Sequence, residues 1–153
     1  MENPFRTTGL RHGKDDPRGL RERIDAQLSE RIEEAVEMAA LHLLVELRKR
    51  RNLPAPEVDN RTDRDEFSAL AADLLRYLGQ AFERELTHEQ RHELEQTRTG
   101  GAGTRARELR GQLYLSRQLP DYWQRFETHR AAHAEGRLSS PSGGPGFLKR
   151  ILG

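Results

Sequence analysis

LRERIDAQLSERIEEAVEMAALHLLVELRKRR, residues 20–51, is the longest stretch of the chain with one sustained period. Leu20, Ile24, Leu28, Ile32, Val36, Ala39, Leu43 and Leu47 follow at steps of three and four. That spacing is one face of an α-helix, not the alternation of a strand. Asp16 can cap it and Pro17 suits a first turn, where a missing N–H costs nothing. Asn52, Pro54 and Pro56 stop it near Arg51, because proline cannot continue the hydrogen-bond ladder. A helix of this extent is ~50 Å long at ~1.5 Å per residue. Its middle, AVEMAALHLLVEL (35–47), carries Met38, Leu41 and Leu44 off the main stripe. A helix apolar nearly all round needs cover from two sides. Later helices can cover one side and a second copy the other, which predicts a homodimer associating through Val36, Ala39, Ala40, Leu43, Leu44 and Leu47. The alternative is that the chain's own helices wrap the segment completely. His42, in the same stretch, reads as a hydrogen-bonded core or interface histidine rather than a ligand.

Outward from this helix the pattern stays helical. TDRDEF (62–67) predicts a second start, capped by Thr62 or Asp63. The stripe beyond it is Phe67, Leu70, Leu74, Tyr77, Leu78, Ala81 and Phe82. Thr87, with Gln90 at the capping-box position, opens a short third helix to about Thr97. GGAG (100–103) breaks the chain, and Thr104 caps a fourth helix with Leu109, Leu113 and Leu115, in which Gly111 is a weak point. Pro120 and Asp121 restart it, and a last helix with Tyr122, Trp123 and Phe126 fades near Gly136. No strand-like alternation appears. The expectation is an all-α small bundle: a flexible arm (1–15), a helical domain (16–138) led by the long helix, a Pro/Gly/Ser linker (139–146) and a tethered amphipathic tail (147–153).

Composition narrows the function classes. The 153 residues suit one domain with tails, and an apolar fraction of 34% against 33% charged implies a small core. Lys plus Arg (26) and Asp plus Glu (25) nearly cancel, which argues against nucleic acid as the partner. RKRR (48–51) is the one dense basic cluster. It reads either as a phosphate contact or as cations complementing a helix C-terminus. With no Cys, disulfides, thiolate metal sites and cysteine nucleophiles are all excluded, which fits a reducing compartment. Neither a secretory h-region nor an apolar run of ~18 residues appears, so a cytoplasmic location is expected.

The one motif with catalytic precedent is HEQRH (88–92), which resembles the His-Glu-x-x-His pattern of zinc metalloproteases. The resemblance would make His88 and His92 ligands and Glu89 the general base. Arg91 departs from the usual uncharged pair, and Thr87-His-Glu-Gln is also simply a good helix start. A milder metal reading joins His88/His92 with His129/His133, each at i,i+4 spacing. Its rival is that RFETHRAAH (125–133) is a solvated face with incidental histidines. There is no nucleophile elbow and no phosphate-binding glycine loop. The reading is of a non-enzyme with no cofactor and no metal, a zinc-dependent hydrolase being an alternative.

The tail carries the strongest functional signal. At ~100° per residue, Phe147, Ile151, Leu148 and Leu152 fill an arc of roughly 140°, with Lys149 and Arg150 opposite. Such a turn-and-a-half suits a membrane interface with anionic headgroups. With Gly146 it resembles the C-terminal membrane-targeting sequence of cell-division ATPases of the MinD family. That resemblance implies an anchoring role for residues 147–152. The ATPase activity does not carry over, because no Walker motif is present. Each cation adds ~1 kcal/mol on an anionic leaflet, while ordering costs ~1 kcal/mol or more per residue. One tail therefore binds weakly, and a dimer's second tail would act at high effective concentration. The expectation is an adaptor or regulator, peripheral at the inner membrane face, whose helical body binds a protein partner. The alternatives for the tail are docking into a protein shell or partner groove, and folding back onto its own bundle.

Overall fold

The computed structural model describes residues 19–100 and 103–139. The expected arm, the Asp16–Pro17 helix start, the linker beyond Ser139 and the tail lie outside them. Among the described residues the chain is all-α: α1 (Leu20–Arg50), α2 (Arg61–Glu83), α3 (His88–Arg98), α4 (Thr104–Gln118) and α5 (Tyr122–Leu138). None of these helices is long and apolar enough to cross a membrane.

The 31 residues of α1 make a rod of about 46 Å on which the other long helices are laid. It ends where Asn52 turns into the left-handed region (φ 59°). α2 then returns antiparallel, locked by Arg48, which pairs with Asp63 and with Glu66 (2.8 Å) and donates to the Pro54 carbonyl (3.2 Å). The α2 cap is Asn60, whose side chain accepts from Asp63 N, and not Thr62 or Asp63. Asp63 is drawn inside the first turn instead, where its other oxygen accepts from the Glu57 amide at 2.8 Å. Thr87 and Gln90 form the expected capping box of α3. Gly100 (φ 79°) and Gly103 (φ 109°) hold backbone conformations that favour glycine, and Gly103 rather than Thr104 precedes α4.

α4 runs antiparallel to α1, tied by Arg105 to Glu33 and Glu37 and by Arg117 to Asp25. α5 lies along the opposite flank, parallel to α1. The Arg31 guanidinium sits 4.3 Å from the centre of the Trp123 ring at one end, and Arg50 donates to the Leu138 carbonyl at the other. α1 is thus enclosed by α2, α4 and α5, and α3 leans on α4. The core joins Ile32, Val36 and Leu44 to Leu74, Leu78, Phe82, Leu94, Leu115, Tyr122 and Phe126. The apolar stripe runs past it: Leu20 and Ile24 are 54% and 53% exposed, where α1 outruns its partners.

Candidate functional site

Five of the six positions expected to join two copies, Val36, Ala40, Leu43, Leu44 and Leu47, are buried in the chain's own bundle, and Ala39 is half-buried. The physical reason is α5, which occupies the second flank that a partner was expected to cover. Complete wrapping by the chain's own helices is what this structure displays on that face. His42 is exposed, so it is not a core histidine.

HEQRH forms the first turns of α3, with His88 and His92 both exposed. His92 Nε2 lies 3.3 Å from the Gln96 amide, and Arg91 turns back to the Leu86 carbonyl (3.1 Å). Among the described residues no three His, Asp or Glu side chains stand close enough to share a metal ion. The α5 histidines do not join His88 and His92, and neither do they lie on a solvated face. His133 is 6% exposed, with Nε2 3.0 Å from Asp73 Oδ2, and His129 Nε2 stands 3.1 Å from Glu85 Oε2. Arg125 and Arg137 extend the same stripe, reaching Glu85 (3.2 Å) and Asp73 (2.8 Å). Arg125, His133 and Arg137, on one face of α5 with His129, thus tie it to Asp73 of α2 and to Glu85 just beyond the end of α2. The sequence signal was visible at 125, 129, 133 and 137, but its partners, 40 to 64 residues away, were not.

RKRR contributes to the fold chiefly through Arg48, while Lys49, Arg50 and Arg51 remain exposed. Arg48 clamps α2, Lys49 pairs with Glu46 (3.5 Å), Arg50 caps the end of α5, and Arg51 closes α1 by donating its amide to the Arg48 carbonyl. A charged slot that sequence reading missed lies between α2, α3 and α4. Arg98, 11% exposed, faces Glu95 (3.3 Å), Glu108 (3.7 Å) and Glu83 (3.9 Å). Its side chain crosses the bare surface of Gly111, where a Cβ would meet Arg98 Nε at 3.2 Å. The weak point in α4 is therefore a passage for arginine. Burial pushes the Glu108 carboxyl above its ordinary value, against the pull of Arg98.

An open cleft of about 450 Å³ lies beside the start of α4. It is lined by Arg64, Phe67, Ser68, Ala71 and Ala72 of α2, Glu37 of α1 and Arg105 of α4. Its size falls in the ~300–1,000 Å³ range of ligand clefts. The tail residues Phe147, Leu148, Lys149, Arg150, Ile151 and Leu152 lie outside the described residues. Compared with protein-family models, with curated proteins and with solved structures, the chain matches none.

Proposed function

We propose that this chain is a non-enzymatic helical adaptor or regulator, attached to the cytoplasmic face of a membrane by residues 147–152. Its helical body meets a protein partner. The observation that carries this reading is the amphipathic arc of the tail, four large apolar side chains against Lys149 and Arg150, behind a Pro/Gly/Ser linker. Two features of the body support it. His133, Asp63 and Asp73 are engaged in bonds that hold helices together. The exposed Leu20 and Ile24 stand ~39–45 Å along α1 from Arg50, which is where α5 ends. A partner, or a second copy, meeting that end would be well separated from the bilayer.

Co-sedimentation with vesicles of rising anionic-lipid content tests the anchor. Full-length protein is expected to pellet, while a 1–146 truncation and a Phe147→Asp variant stay in the supernatant. Full-length protein that stays soluble at every anionic fraction overturns the reading.

A further inference from the structure

We infer that the turn between α1 and α2 is a second bilayer contact: Leu53 and Val58 enter the apolar edge of an anionic membrane while Lys49, Arg50 and Arg61 meet its headgroups. The inference rests on the anchoring proposed above and adds to it a surface of the folded body. Leu53 and Val58 are 46% and 39% exposed, and Pro54 and Ala55 beside them are exposed as well. A lone exposed leucine is ordinary, but this apolar turn stands where the anchored chain leaves the bundle. Arg50 donates to the Leu138 carbonyl, so α5 ends beside the turn. Eight residue steps from Ser139 to Phe147 span at most ~29 Å. That is less than the rod of α1, about 46 Å long. A bilayer holding residues 147–152 is therefore met by this end of the bundle and not by Leu20 and Ile24 at the other.

The turn also suits an interface in its backbone. Amide and carbonyl groups that lose water on entering lipid oppose insertion unless they are bonded within the protein. Pro54 and Pro56 carry no N–H. The Leu53 amide donates to the Arg48 carbonyl at 2.9 Å, and the Glu57 amide donates to Asp63 Oδ2 at 2.8 Å. The Pro54 carbonyl accepts from Arg48 (3.2 Å) and the Val58 carbonyl from Arg64 (3.0 Å). These bonds hold the turn in one shape beforehand, so little conformational entropy is lost at contact. Between residues 49 and 65 five exposed cations stand against three exposed carboxylates, an excess that an anionic leaflet attracts. A specific protein interface takes ~800 Å² per partner with matched shape. Two aliphatic side chains ringed by charge fall short of that, and a lipid interface asks for no matched surface.

The chain contains no cysteine, so one polarity-sensitive fluorophore can be placed by Leu53→Cys or Val58→Cys. Gln124→Cys, exposed in the first turn of α5, is the control at the far end. With full-length protein and vesicles of phosphatidylglycerol and phosphatidylcholine in equal parts, labels at 53 and 58 are expected to brighten several-fold. The label at 124 should not change. The unlabelled Leu53→Ser/Val58→Ser chain should keep its melting temperature and lose ~10-fold in vesicle affinity. Labels at 53 and 58 that stay dim while the protein pellets overturn the contact and leave the tail anchor standing. So does an unchanged vesicle affinity of the double variant. Brightening without lipid as protein concentration rises assigns the turn to a second copy and overturns the contact too. Full-length protein that never pellets overturns both readings. Pelleting of the 1–146 truncation, lost with the double substitution, overturns the tail anchor and keeps the turn.

Discussion

Asp73 gathers three basic side chains: His133 at 3.0 Å, Arg137 at 2.8 Å and Arg76 at 3.0 Å. Burial alone would raise its carboxyl, but the bond and charge of His133 with the charges of Arg137 and Arg76 hold it below the ordinary value. A carboxylate with a depressed folded value contributes stability above its unfolded value, near pH ~4, and loses it as pH falls further. Asp73→Asn should therefore lower the melting temperature at pH 7 and flatten its decline below pH ~4, checked by melting curves across pH. Arg98 and Glu108 should behave asymmetrically. Glu108 Oε1 is buried without a hydrogen-bond partner, and burial already disfavours its charge. Glu108→Gln should leave the melting temperature at pH 7 unchanged or higher. Arg98→Met should lower it, because Glu83, Glu95 and Glu108 are left facing one another. Gly111→Ala should also destabilise despite alanine's ~1 kcal/mol helix advantage. Its Cβ would press on Leu94 Cδ1 at 3.2 Å, and Leu94 is fully buried.

Among the elements, α3 is held most lightly. Leu94 is its one buried residue, and its start depends on the reciprocal bonds of Thr87 and Gln90 at 3.1 and 3.0 Å. Thr87→Ala should cost ~1 kcal/mol, and hydrogen exchange should find the α3 amides opening before those of α1 and α2. Legibility from sequence differed by element for a related reason. The Thr87 box uses residues three apart, so its geometry was readable in full. The α2 cap was misplaced because Asp63 has a competing demand from Arg48, which comes from another helix. The α5 stripe looked like a solvated face because Arg and His dominate it, yet His133 is buried against Asp73 and the Tyr77 ring, 5.0 Å away. Charge on a helix face marks solvent only when no opposite charge is packed beneath it.

At the scale of the molecule, one continuous core ties α1 to α2, α4 and α5. Leu44→Ala at its centre should cost ~2–5 kcal/mol. Unfolding should remain a single transition, with the fluorescence of Trp123, the only tryptophan, coinciding with far-UV circular dichroism. The all-α class, the long first helix and the break at 100–103 were determined by the sequence itself. Each depends on periodicity, on proline and glycine backbone limits, or on caps within four residues. Only the tertiary structure decided that α5 packs on the far flank of α1, and that Arg48 and His133 tie helices together. These are facts about which surfaces of different helices meet, and a one-dimensional pattern shows that a face is apolar or charged without naming what covers it.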